Sequence, residues 1–216
     1  MGRLVHDEVG GQGSDDIVPV VYCDQPTQVE DSFRFDETRA GLELATHLAG
    51  HGHRRTALMT PSLEYPSMAA LHRGFQQAVG DGLLEGVDIV VCDGFSIGAG
   101  MAAATVALRS AAPPSAIATA ADELAIGVIQ AARLVGVGVP NDLALVSYGG
   151  IEASAYIDPP ITTIALPAEE MGLLAARRLA ARIRGEPPAG TAYLPGRLVV
   201  RASCGHHDDR PAESDA

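Results

Sequence analysis

The stretch SAIATAADELAIGVIQAARLVGVGVPNDLALVSY, Ser115 to Tyr148, decides the fold class. Ser115 to Ala120 is a short apolar run of strand length. From Asp122 the period changes, and Leu124, Val128, Ala131 and Val135 fall at offsets of 0, 4, 7 and 11 along one helical face. Leu143 to Tyr148 is again a short apolar run. Strand, helix and strand in succession read as a βαβ unit, and such units build a parallel sheet.

The same alternation extends outward in both directions. Towards the N-terminus, Ile97, Met101, Ala104 and Leu108 repeat the helical offsets, Val87 to Cys92 reads as a strand, and Leu71, Phe75, Ala78 and Val79 lie at helical spacing. Thr56 to Thr60 is a further strand. Asp36 can cap a helix running to Ala49 with Leu44, Ala45 and Leu48 on one side, ended by Gly50 and Gly52. Ile17 to Cys23 is a β-branched run closed by the turn-like Asp24-Gln25-Pro26. Towards the C-terminus the pattern breaks at Gly149-Gly150 and passes through Asp158-Pro159-Pro160. It resumes with a strand at Thr162 to Leu166, a long helix from about Pro167 to Ile183 and a last strand, Arg197 to Arg201. The fold class is α/β, with parallel sheets flanked by helices.

Composition narrows the function. The 216 residues are 47% hydrophobic and 19% charged, which is a folded globular composition. Fifteen basic residues against 27 acidic ones leave a net charge of −12, a field that repels nucleic acid and anionic lipid. All fifteen basic residues are arginine, which removes Schiff-base chemistry and a Walker lysine. Cys23, Cys92 and Cys204 are too widely separated for a Cys-x-x-Cys pair or a disulfide framework, and fit a reducing, cytoplasmic setting. No stretch approaches the roughly 18 apolar residues of a membrane span.

Several phrases occur in one order: VPVVYCD (Val18 to Asp24), HLAGHGHRRTALM (His47 to Met59), RGFQQA (Arg73 to Ala78), DGFSIGAG (Asp93 to Gly100), GVGVPNDLALVSY (Gly136 to Tyr148) and YIDPPITTIALPAEEMG (Tyr156 to Gly172). Together they resemble the effector-sensing domain of the LacI/GalR family of bacterial transcriptional regulators, from about residue 17 to 204. The resemblance implies a type I periplasmic-binding-protein-like fold, in which two parallel-sheet lobes close on a small ligand at their crossovers. By the same resemblance, residues 17–35 and 163–190 are a remnant of the N-terminal lobe, and residues 36–162 and 191–204 form the C-terminal ligand-binding lobe. Residues 1–16 and 205–216, polar and charged, are expected to be a disordered leader and tail. The family's helix-turn-helix headpiece and first βα units have no counterpart in these residues.

Site residues carry over singly from the family. Asp24 matches the aspartate after its iPvV strand, Phe35 a pocket-wall position, Phe95 an aromatic that stacks on the effector, and Asp122 the aspartate of its A-N-D motif. Three polar family positions are replaced: Leu71 stands for an arginine, Ala121 for an asparagine and Gly149 for an aspartate. Each lost hydrogen-bond partner costs about 1–3 kcal/mol of binding, so the pocket suits a ligand flatter and less hydroxylated than a hexose, or a sugar held weakly. Arg73 lies two positions from the expected arginine, and a helical shift of about 200° points it elsewhere.

Other candidates have plainer readings. His47, His51 and His53 suggest a metal site, but Gly50 and Gly52 interrupt the helix between them and no acidic or cysteine ligand has a fitting spacing. His206, His207, Asp208 and Asp209 read as a solvated cluster. Gly94, Gly98 and Gly100 lack the dinucleotide spacing. Asp122 and Asp36 read as helix caps, Cys23 and Cys92 as strand packing, and Ser62, Ser67 and Ser96 have no activating context. The expectation is a sensor that uses no catalytic residue, cofactor or metal. It takes a small effector, forms a homodimer as the family does, and reaches operator DNA only through a headpiece. A stand-alone binding module and a small α/β enzyme are the alternatives.

Overall fold

The computed structural model describes residues 18–24 and 31–205. The expected leader, the turn residues Gln25 and Pro26, and the tail from His206 onward lie outside the described residues. Two sheets organise the rest. The larger has six strands: β3 (Arg55–Thr60), β4 (Gly86–Val91), β5 (Ala116–Thr119), β6 (Ala144–Gly149), β7 (Thr162–Ala165) and β9 (Arg197–Val199). Their order is β4-β3-β5-β6-β7-β9, parallel except for the antiparallel edge strand β9. The smaller sheet, β1 (Tyr22–Cys23), β2 (Asp31–Phe35) and β8 (Gly190–Leu194), is wholly parallel in the order β1-β2-β8.

The larger sheet is wrapped by α1 (Glu37–Gly50), α2 (Pro66–Gly80), α3 (Ile97–Leu108) and α4 (Asp122–Val135). Right-handed crossovers put α2 on one face and α3 and α4 on the other, and α1, which enters from the smaller sheet, packs beside α2. Each pair is drawn together by glycine. A Cβ on Gly41 of α1 would sit 2.0 Å from the Leu71 carbonyl oxygen, and one on Gly74 of α2 would sit 2.2 Å from that of Thr38. Gly100 and Gly127 do the same for α3 and α4, at 2.5 Å from the Leu124 oxygen and 2.3 Å from the Ile97 oxygen. Leu44, Leu48, Leu58, Phe75, Ile117, Leu124 and Leu145 fill the core between helices and sheet.

The smaller sheet has its own core of Phe33, Phe35, Leu194 and Met171, the last from α5 (Ala168–Ile183). Beside it the buried Asp31 carboxylate pairs with Arg178 and Arg182, and the Arg178 guanidinium lies 5.1 Å from the Phe33 ring centroid.

Several expectations shift. Of the strand expected over Ile17 to Cys23, Ile17 lies outside the described residues, and among the rest only Tyr22 and Cys23 pair; Val18 and Val20 are exposed because nothing described lies on that edge. β2 and β8 were not legible as strands: DSFRF and GTAYL mix polar with apolar residues, and only pairing with one another buries their inner faces. β7 pairs with β6, so the chain leaves the larger sheet after Ala165 and not at 163. β8 pairs with β2, so it returns after Leu194 and not at 191. The first helix also runs through Gly50, which nothing crowds, instead of stopping at Ala49.

Candidate ligand-binding cleft

In the larger sheet β3 leads out to β4 on one side, while β5 lies on its other side. The chain therefore reverses direction between β3 and β5, and a crevice at the carboxyl ends of those strands is where α/β sheets take ligands. Thr60, the last residue of β3, is fully buried there, and its hydroxyl has no hydrogen-bond partner among the described residues.

Two aromatic rings stand at this edge. Tyr65 precedes Pro66, which opens α2 after β3. Phe95 precedes Ser96, whose hydroxyl accepts the Ala99 N–H at 3.1 Å and so caps α3 after β4. Because β3 and β4 are neighbours, the two rings meet, with centroids 6.1 Å apart and planes tilted by 57°. Both are about half exposed, so their faces are available to a ligand. Tyr65 was missed from the sequence; its signal was an aromatic placed immediately before a proline at a helix start. Ser96 is a cap, which explains its presence without any catalytic context.

Asp122 is only 1% exposed and does not cap α4; the cap position is Ala121, which offers no side-chain bond. Its carboxylate instead accepts the Ile151 N–H at 2.7 Å and the Thr163 hydroxyl at 2.8 Å. Both oxygens are thus committed to holding the β6–β7 connection against α4. Gly149, where the resemblance expects an aspartate, has φ +146°, and a Cβ there would meet the Asp122 carboxylate at 3.5 Å. Phe35 packs into the small-sheet core, because strand alternation puts it beside Phe33 while Arg34 faces the other way against Tyr193. Leu71 is fully buried in the core beneath α1.

The carboxyl ends of the two sheets converge on acidic groups. Asp24 follows β1, Asp36 follows β2 and caps α1 through the Arg39 N–H at 3.1 Å, and Glu37 opens that helix. All three carboxylates act on Tyr148 near the end of β6, and with burial, the larger influence, they push its phenol pKa far up. Glu37 is itself 3% exposed. Burial pushes its carboxyl pKa up, with Asp24 and Asp36 adding to the rise, while its own backbone N–H and Arg34 oppose it. Arg73, exposed on α2, lines a cavity of ≈370 Å³ with Arg34, Asp36, Glu37 and Tyr193. Asp24 has φ +52° and its N–H donates to the Phe33 carbonyl at 2.8 Å, so a tight turn aims it at this junction.

Residues 45–204 match the periplasmic binding protein-like domain. The chain belongs to that family. This periplasmic-binding-protein-like chain is 32% identical over 92% of its length to the HTH-type transcriptional regulator reg1 of Streptomyces lividans, of which the alignment covers 58%. It is 34% identical over 86% of its length to the HTH-type transcriptional regulator MalR of Streptomyces coelicolor, of which 56% is covered. A LacI family transcriptional regulator from Enterococcus faecium, solved with bound ribose, superposes with a TM-score of 0.78 at 28% identity, covering 86% of this chain and 69% of that one. The periplasmic-binding-protein-like fold and the LacI-type relationship expected from the motifs are both confirmed. The chain spans a little over half the length of these curated relatives.

Proposed function

We propose that this chain is the effector-sensing part of a LacI-type transcriptional regulator, working in the cytoplasm without catalysing a reaction. The six-stranded unit serves as the main ligand-binding lobe, and β1, β2, β8 and α5 form the part of the second lobe that closes on it. The observation that carries this reading is the exposed Tyr65–Phe95 pair beside the topological switch point, at the edge where the carboxyl ends of both sheets converge. The relative with bound ribose supports a small polyol or sugar-like effector. Leu71, Ala121 and Gly149 shift that preference towards a flatter, less hydroxylated ligand. A ligand acts here by binding the closed arrangement more tightly than the open one.

On this reading operator DNA is contacted through a helix-turn-helix portion like that named in the HTH-type relatives, in a homodimer. These residues alone, with a net charge of −12, should leave operator duplex unshifted in a mobility-shift titration. Calorimetric titration with ribose, hexoses, nucleobases and small aromatics tests the sensing role. Saturable binding that is lost in Phe95→Ala and weakened in Tyr65→Ala is expected. Micromolar binding of a simple hexose that is indifferent to both substitutions would place the site elsewhere.

A further inference from the structure

The end of α1 lies against the turn that closes the described chain. His47 is in the last turn of α1, and because the helix continues through Gly50, His51 stays one turn further along the same face. The 3₁₀ turn Ala202–Cys204 brings in the cysteine that sequence spacing does not reveal, 157 residues from His47. His47 Nε2 is 3.2 Å from Cys204 Sγ, and the two imidazole rings are 4.8 Å apart in an edge-on arrangement. One donor atom from each of the three residues lies within 4.8 Å of the others.

We propose that His47, His51 and Cys204 form a binding site for a borderline-soft divalent cation of the zinc class. Two imidazole nitrogens and one sulfur favour zinc over magnesium or calcium, which take oxygen donors. Zinc bonds of about 2.0 Å to nitrogen and 2.3 Å to sulfur set tetrahedral nitrogen and sulfur ligands roughly 3.5 Å apart. The 3.2 Å His47–Cys204 separation therefore needs only a small opening, while the widest spacing in the trio, up to 4.8 Å, has to close by about 1 Å. Cys204 binds as the thiolate and releases its proton to solvent. Both histidines are half-buried.

The surroundings hold the sulfur in place. Thr162 Oγ1 lies 3.0 Å from Cys204 Sγ and donates to the Arg201 carbonyl at 3.1 Å, and a rotation of its hydroxyl would turn that proton to a thiolate. The turn is anchored independently of any cation: the Ser203 hydroxyl donates to the Leu145 carbonyl at 2.6 Å and accepts the Thr162 N–H at 2.9 Å. A bound cation would tie the end of α1 to this turn, and so to β6 and β7.

The test uses the full chain with His206→Ala and His207→Ala, which removes the adjacent tail imidazoles as a competing source of binding. After chelation, titration with cobalt(II) is expected to saturate at one equivalent with a near-ultraviolet sulfur-to-cobalt charge-transfer band. Zinc(II) should displace the cobalt and raise the unfolding temperature. Cys204→Ser should abolish the band, His51→Ala should weaken binding by more than about 100-fold, and Thr162→Val by about 10-fold. His51→Ala, altered at a half-buried helix end, keeps the test valid should Cys204→Ser fail to fold. The absence of saturable binding, a bound cobalt without the sulfur band, or affinity unchanged in His51→Ala would overturn the assignment.

Discussion

The Asp122 carboxylate accepts the Thr163 hydroxyl at 2.8 Å, joining the first turn of α4 to β7 across the edge where the cleft opens. With the Ile151 N–H on its other oxygen, Asp122 holds the β6–β7 connection from below the cleft and is itself out of reach of solvent.

Asp122→Ala therefore leaves a buried N–H and a buried hydroxyl without their acceptor. Each bond to a charged group is worth about 1.5–3 kcal/mol, so a loss of roughly 3 kcal/mol or more is expected in urea unfolding. Asp122→Asn, which retains one acceptor, should lose about half as much.

Glycine substitutions separate close helix packing from open helix surface. Gly41→Ala puts a methyl 2.0 Å from a backbone oxygen that cannot rotate away, and should destabilise by about 3 kcal/mol or more. Gly172→Ala, inside α5 with nothing described within 4 Å, should stabilise by about 0.5–1 kcal/mol. Thermal unfolding of the two variants should move in opposite directions.

Glu37 predicts a pH dependence. Its folded pKa lies above its ordinary value of 4.5, chiefly through burial, so the folded chain holds that proton more tightly than the unfolded chain does. Its contribution is fully present below 4.5 and is lost as pH rises through the raised folded value. Glu37→Gln should be more stable than the parent near neutrality, and the gap should shrink on acidification below the ordinary glutamate value. Unfolding curves at the two pH values decide this; a gap that widens in acid contradicts it.

Apolar surface on α5 and on the segment before β1 predicts self-association. Val18, Leu173 and Ile183 are all more than half exposed, and α5 buries only Met171. Sedimentation should show species larger than a monomer, reduced by Leu173→Glu. A clean monomer at high concentration would count against an interaction surface here.

The alternation of strands and helices is legible residue by residue, because period and turn chemistry are local: the offsets of Leu124, Val128, Ala131 and Val135 place α4, and Asp36 places the start of α1. The ordered phrases of the sequence also determined the family and pointed to the aromatic Phe95. Whatever depends on pairing across the chain emerges only in the folded molecule. β2 and β8 became strands by burying their faces against each other, 159 residues separating Ser32 from Thr191. Asp122 turned from an expected cap into a tie to β7, since its partners Ile151 and Thr163 lie 29 and 41 residues away. Tyr65 reached Phe95, and Cys204 reached His47 and His51, for the same reason. Propensity and periodicity act over a helical turn or a strand, whereas a site is made where distant segments are brought together by packing, and no local pattern records that meeting.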